Sequence, residues 1–156
     1  MVEHTIEAAR EWNPLVVAGP DVAHALAGNG HAAVCINDAP NLGMSHSLAL
    51  ADAALDPESS IVLLLADKPL ASAALIRAIC ERAGEADVVY PIRADEPGHP
   101  VFLSVAARRK IASLPRGDTL QLLRDDPSLL RLQLEMDDLG AYLDIDTPEA
   151  LNALVE

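Results

Sequence analysis

Positive charge is scarce in this sequence. Eleven Lys and Arg residues stand against 24 Asp and Glu, a formal net charge of −13. A chain this acidic repels a phosphate backbone unless its few cations cluster. The nearest thing to a cluster, Arg108-Arg109-Lys110, is short and falls in a helical pattern. It reads as a solvated helix face rather than a phosphate-binding patch, so nucleic acid is not expected as a partner. Cysteine is scarcer still. Cys35 and Cys80 lie far apart in apolar runs, with no CxxC and no His at ligand spacing, which argues against a thiolate metal site. They read as buried thiols in a reducing compartment. No apolar run is long enough to span a bilayer. The first residues, Met1 to Glu7, carry acids and no apolar core, unlike a signal peptide. Internal repeats and low-complexity tracts are also lacking, and the expected location is the cytoplasm.

What is present is enough apolar material for one core: 156 residues, 51 % of them hydrophobic, fit one domain. The periodicity predicts a helix from Val2 to Glu11, stopped before Asn13-Pro14, and a strand Leu15 to Ala18. Asp21 can cap a helix Val22 to Leu26, which Gly28-Asn29-Gly30 ends. Ala32 to Ile36 reads as a second buried strand. A Pro- and Gly-containing loop then leads to Ser45, a candidate cap for a helix His46 to Leu55. The continuous run Ile61 to Ala66 is the clearest strand, of the kind covered on both faces in parallel sheets. With a helix Ser72 to Ala83 and a strand Asp87 to Ile92 it makes a βαβ unit. Further expectations are strands His99 to Leu103, Leu129 to Met136 and Tyr142 to Asp146, helices Val105 to Leu114 and Thr119 to Arg124, and a C-terminal helix with Thr147 as cap and Pro148 at its first position. The fold class is α/β, three-layered and Rossmann-like, with a mostly parallel sheet.

In open sheets of this kind ligands bind beyond the carboxyl ends of strands. Asp67 is the first residue after the best strand, followed by Lys68-Pro69, and is placed to hold a hard divalent cation through oxygen. A strand-ending Asp also serves as a turn or helix cap. Asp144 and Asp146 flank Ile145 at the expected end of the last strand, where one of them can point toward Asp67. Asp146-Thr147-Pro148-Glu149 is equally a capping sequence, which leaves Asp144 as the better ligand.

Taken together, Asn37, Gly43-Met44-Ser45-His46-Ser47-Leu48, Leu64-Leu65-Ala66-Asp67-Lys68-Pro69, Gly98-His99-Pro100-Val101 and Leu143-Asp144-Ile145-Asp146-Thr147-Pro148-Glu149 resemble the MobA-like nucleotidyltransferase family. Within it the likeness is greatest to molybdenum cofactor cytidylyltransferases. The resemblance implies transfer of CMP, or GMP, from CTP or GTP to molybdopterin, with pyrophosphate released. It implies Mg2+ held by Asp67 with Asp144 or Asp146, nucleotide contacts from Ser45 and Ser47, and His99 facing the acceptor. His99 reads as well as a simple strand cap.

The family opens with a strand and a Gly-rich loop bearing Arg and Lys, and this sequence shows neither. By the resemblance, Val2-Glu3-His4 matches the helix after that loop. The strand so lacking is central in the family sheet, so its neighbours are expected to show unpaired edges and exposed apolar area, covered by a homodimer. Lys68 is the one cation beside the site and Arg93 the next, though Lys68 reads first as a plain surface lysine. Two readings follow: a nucleotidyltransferase impaired in phosphate binding, or a degenerate accessory module that binds and transfers nothing.

Overall fold

The computed structural model describes residues 1–115, 120–145, 147 and 150. Helix α1, Val2–Ala8, is shorter than expected: a 3-10 turn, Arg10–Trp12, replaces its end, and left-handed Asn13 turns the chain before Pro14. Strand β1, Leu15–Ala18, follows. Helix α2, Pro20–Ala25, starts two residues earlier than anticipated and without a side-chain cap from Asp21. Pro20 takes its first position, where a fixed φ is an advantage and the missing N–H is not needed.

Strand β2, Ala33–Ile36, runs parallel to β1 in register Leu15↔Ala33 to Ala18↔Ile36. It is not the buried run that was expected. Val34 is 36 % and Ile36 53 % exposed, β1 being the only ladder neighbour of β2 among the described residues. Helix α3, Met44–Ala54, begins after Gly43, whose φ of 82° is one that L side chains rarely adopt. Ser45 therefore sits in the first turn and is not the cap.

Strand β3 covers Ile61–Leu63 alone. It pairs with a strand of only three residues, β6, Val101–Leu103, so Leu64 to Ala66 run on without a ladder. Helix α4, Ala73–Cys80, is capped by Ser72, whose Oγ accepts from the Leu75 N–H at 3.1 Å. Strands β4, Val88–Arg93, and β5, Glu96–Pro97, precede β6. Helix α5, Val105–Arg108, gives way to a 3-10 turn at Ile111–Ser113. Helix α6, Leu120–Asp125, leads to strand β7, Arg131–Glu135.

The mostly parallel sheet of expectation is a mixed one. β6 lies between β3 and β4 and is antiparallel to both, β5 is antiparallel to β4, and β7 is parallel to β4. Two strands each antiparallel to β6 run the same way, so the β3–α4–β4 unit exists with a return strand inserted into it. Alternate side chains of this sheet enter separate cores. Val88, Tyr90, Val101 and Leu103 pack with Leu48 of α3, Ala107 and Leu123. Val89 and Phe102 pack with Ile79 of α4. Helices on both faces make three layers.

The expected strand Tyr142 to Asp146 is absent over its described part. After a 3-10 turn, Leu139–Ala141, the amides of Tyr142 and Leu143 bond to Leu139 and that of Ile145 bonds to Asp67, instead of to a strand. Thr147 Oγ1 accepts from the Ala150 N–H at 3.2 Å, as its capping role requires. Asp146, Pro148 and the rest of the expected C-terminal helix lie outside the described residues, as does Thr119.

Candidate functional site

The chain after β3 makes two consecutive turns, with Lys68 N–H on Leu65 O and Ala71 N–H on Lys68 O, each at 3.2 Å. These turns expose the Asp67 side and send the Lys68 side chain inward. Lys68 is not the surface lysine that was expected. It is 7 % exposed, and its Nζ donates to Tyr142 O at 2.8 Å and to Asp144 Oδ1 at 2.5 Å. The Ile145 N–H donates to Asp67 O at 2.7 Å. Asp67 and Asp144, 77 positions apart by their numbers and both exposed, thus lie on two segments joined by a backbone hydrogen bond.

Two glycines allow this approach. A Cβ at Gly140 would run into the Leu70 carbonyl, and one at Gly98 would lie 2.8 Å from both Ala141 O and the Tyr142 ring. Tyr142 is itself fixed from three sides. Its carbonyl takes Lys68, its hydroxyl donates to Met136 O at 2.9 Å, and Arg93 lies 4.4 Å over its ring. Arg93 also faces Glu96 at 3.7 Å. Both cations named near the site therefore have internal partners.

His99 is buried beneath this surface instead of facing outward on a loop. Its N–H donates to Ala141 O at 2.9 Å, and its ring bonds to the Leu63 backbone. Burial, and then the Lys68 charge, lower its pKa to about 4. The ring is neutral at ordinary pH, with Nδ1 buried and without a partner.

A second lobe stands at the start of α3. Asn37, 2 % exposed, takes its backbone bond from β1 (N–H to Ala18 O, 2.8 Å). Its side chain donates to Ser47 Oγ at 2.9 Å and accepts from Ala39 N–H at 2.9 Å. Asn37 thereby locks the end of β2 to the first turn of α3. Ser45 is buried there, and Ser47 shares a cavity wall with Ala66, the neighbour of Asp67. The structure links Asp67, Lys68 and Asp144 through the Lys68–Asp144 and Ile145–Asp67 hydrogen bonds, while Ser45 and Ser47 stand apart from them at the start of α3. Asp146 lies outside the described residues. The fixing roles of Asn37, Gly140 and Tyr142 went unassigned in the sequence. A glycine between Leu139 and Ala141, just before the acidic segment, was the available signal.

Among the described residues no group of three or more His, Cys, Asp or Glu gathers in a form suited to a metal ion. Asp67 and Asp144 are the described carboxylates of the site, and each is a hard oxygen donor. Such a partial set suits a divalent cation that keeps water and takes further oxygens from a bound substrate.

Of the Arg108-Arg109-Lys110 run, Arg109 is solvated as expected and Lys110 partly so, whereas Arg108 is buried. Arg108, 2 % exposed, binds Asp52 Oδ1 at 2.8 Å, the Asp56 carbonyl at 2.7 Å and the Ser59 carbonyl. Arg109 pairs with Glu58, and Lys110 with Asp126 at 2.7 Å. The two cysteines are free and half-buried rather than buried. No described helix is long and apolar enough to cross a membrane.

Comparison with known proteins agrees with this layout. The fold is similar to Rv0371C of Mycobacterium tuberculosis, solved in complex with manganese: 23 % identity over 98 % of this chain and 84 % of that one, TM-score 0.76. It is similar to molybdopterin-guanine dinucleotide biosynthesis protein A of Archaeoglobus fulgidus, at 16 % identity over 97 % and 82 % of the chains, TM-score 0.69. It is similar as well to 2-C-methyl-D-erythritol 4-phosphate cytidylyltransferase of Thermus thermophilus, at 19 % identity over 99 % and 88 %, TM-score 0.70. No curated protein sequence matches. The family model of the MobA-like NTP transferase domain matches residues 1–133, well over half of the chain, and the protein belongs to that family.

Proposed function

We propose that the surface shared by Asp67, Asp144, Ser45 and Ser47 takes a nucleoside triphosphate, CTP or GTP, with Mg2+, and that the protein transfers its nucleoside monophosphate to a molybdopterin acceptor with release of pyrophosphate. The observation that carries this reading is the backbone hydrogen bond of 2.7 Å from the Ile145 N–H to Asp67 O, which ties the segment bearing the exposed Asp144 to the turn bearing the exposed Asp67. Asp67 and Asp144, with Asp146, would hold the cation. When bound, Mg2+ supplies charge neutralisation for the triphosphate and for the departing pyrophosphate. Ser45 and Ser47, in the first turn of α3, would orient the nucleotide. Lys68 does not reach for phosphate in this scheme: it positions Asp144. Neutral His99, assigned to the acceptor by family likeness, supports the acceptor side from beneath.

Support comes from the family and from the fold of neighbours described as a manganese complex, a molybdopterin-guanine dinucleotide biosynthesis protein and a cytidylyltransferase. The same reading takes the working form as a cytoplasmic homodimer, symmetric pairing being the common way to cover exposed apolar strands such as β2.

One observation favours a second reading, a cofactor-binding accessory module without turnover. Lys68 and Arg93 are already engaged by Tyr142, Asp144 and Glu96, and losing a preorganised cationic clamp lowers phosphoryl-type rates by orders of magnitude. Calorimetric titration with CTP and GTP, with and without Mg2+, is the test, alongside a pyrophosphate assay with molybdopterin. Mg2+-dependent binding abolished by Asp67→Ala, with pyrophosphate release, supports the transferase. Binding without release supports the accessory module, and no nucleotide binding defeats the proposal.

A further inference from the structure

The stretch that carries Asp144 has no strand partner. After the 3-10 turn its amides bond to Leu139 and to Asp67, so side chains must decide where it lies. One hairpin supplies several of the contacts. Strands β4 and β5 pair Ile92 with Pro97 and Arg93 with Glu96, which leaves only Ala94 and Asp95 for the turn. Both take left-handed φ, 47° and 67°, as a two-residue hairpin turn of this twist demands. Neither is glycine, and Ala94 has no side-chain hydrogen bond to offset the conformation, so the tight turn is kept at a cost.

The consequence is geometric. The chain returns at once, and Arg93 and Gly98 close on the same aromatic ring. The Arg93 guanidinium stands 4.4 Å over Tyr142, while a Cβ added at Gly98 would meet that ring at 2.8 Å. The next amide, His99 N–H, holds Ala141 O at 2.9 Å. Tyr142 is 6 % exposed, and a cation over a dehydrated ring is held more firmly than one over a ring in water. From there the linkage runs through short bonds. Tyr142 O accepts from Lys68 Nζ at 2.8 Å, and the same ammonium donates to Asp144 Oδ1 at 2.5 Å. The Asp144 side chain, 60 % exposed, has no other hydrogen-bond partner among the described residues.

We infer that Arg93 is a positioning residue for Asp144: its guanidinium seats the Tyr142 ring, the Tyr142 carbonyl seats Lys68, and Lys68 aims the carboxylate. The inference rests on the reading of Asp67 and Asp144 as cation ligands. It carries a sign that charge alone cannot produce. Deleting a positive charge near a cation site lessens repulsion and tightens binding, whereas deleting the support of a ligand weakens it.

Mn2+ binding to the full chain is measured by the paramagnetic resonance of the free ion, and the Lys68 ammonium is followed by nitrogen NMR in the metal-free protein. Arg93→Met keeps aliphatic bulk and loses the charge, and Arg93→Lys restores a cation over the ring. The expected result is Mn2+ affinity roughly three- to tenfold weaker in Arg93→Met, recovery to within about twofold in Arg93→Lys, and a Lys68 signal displaced in the first variant alone. In a Tyr142→Leu background Arg93→Met adds nothing further. Where Asp144→Ala weakens Mn2+ binding, unchanged or tighter binding by Arg93→Met overturns the inference. An undiminished Arg93→Met effect without the Tyr142 ring overturns it too, as do equal losses in the two Arg93 variants, since the charge is then not what acts. Should Tyr142→Leu not fold, the Arg93 pair decides alone. If Asp144→Ala binds Mn2+ as the wild type does, the cation reading of the site falls, and the Lys68 signal judges Arg93 by itself: unmoved in Arg93→Met, it overturns the inference.

Discussion

Strands β2 and β4 look alike on paper, Ala33-Val34-Cys35-Ile36 against Val88-Val89-Tyr90-Pro91-Ile92, yet they meet opposite fates. Residues 88 to 92 are all buried, whereas in β2 only Cys35 escapes full exposure. The difference lies in their neighbours. β4 has β6 and β7 as ladder partners and cores on both faces, while β2 has β1 alone. Apolarity makes burial favourable, but layers must be there to supply it. The β1–β2 ribbon is an outlying piece of sheet, and the strands around β4 carry the stability of the fold.

The largest effect should come from breaking the covered half. Leu103 is 0 % exposed at the centre of the β3–β6–β4 ladder. Leu103→Ala is expected to lower the unfolding free energy by about 2–5 kcal/mol, read by urea denaturation. The next effect is one of pH. His99 is buried neutral, with a pKa of about 4 in the fold against 6.5 when free. As pH falls the unfolded chain protonates first, so stability present above pH 6.5 is lost progressively toward pH 4, by up to about 3 kcal/mol. His99→Gln, which does not titrate, should flatten that slope in denaturation curves taken between pH 7 and 4.5.

His99 also shows where the sequence was legible and where it was not. Strand β1 could be read to the residue, and the Thr147 cap was found, because each depends on neighbours a few positions away. The sequence was read as directing Asp144 or Asp146 toward Asp67, and the Ile145 amide does join their two segments. What escaped was everything set by distant packing: the burial of Lys68, His99 and Arg108, and the insertion of β6 between β3 and β4. A lysine after a strand looks the same whether it faces water or, as here, a carbonyl 74 positions away. The strand expected at Tyr142 failed too: the amides of Tyr142 and Leu143 bond back to Leu139, and that of Ile145 bonds to the distant turn at Asp67.

Lys68→Met sharpens the contrast at the border of the two halves. Its ammonium bonds to a buried carbonyl and to a carboxylate that is 60 % exposed. Asp144 can recover water when the partner is lost, so the expected destabilisation is only about 1–2 kcal/mol, checked by urea denaturation. The change should register locally as faster amide exchange at Ile145, whose N–H bonds to the adjacent Asp67 carbonyl.

The smallest effect belongs to the ribbon. Ile36 is 53 % exposed at the end of β2, so Ile36→Thr removes little from a core while keeping a β-branched residue in the strand. Its expected change in stability is under about 0.5 kcal/mol. Amide exchange gives the comparison a second measure, since local opening needs less free energy where few apolar contacts are broken. The amides of β1 and β2 should exchange well before those of β4 and β6. Equal protection in the two pairs would mean that the ribbon opens only with the whole fold, and its isolation from the larger sheet would then have no energetic consequence.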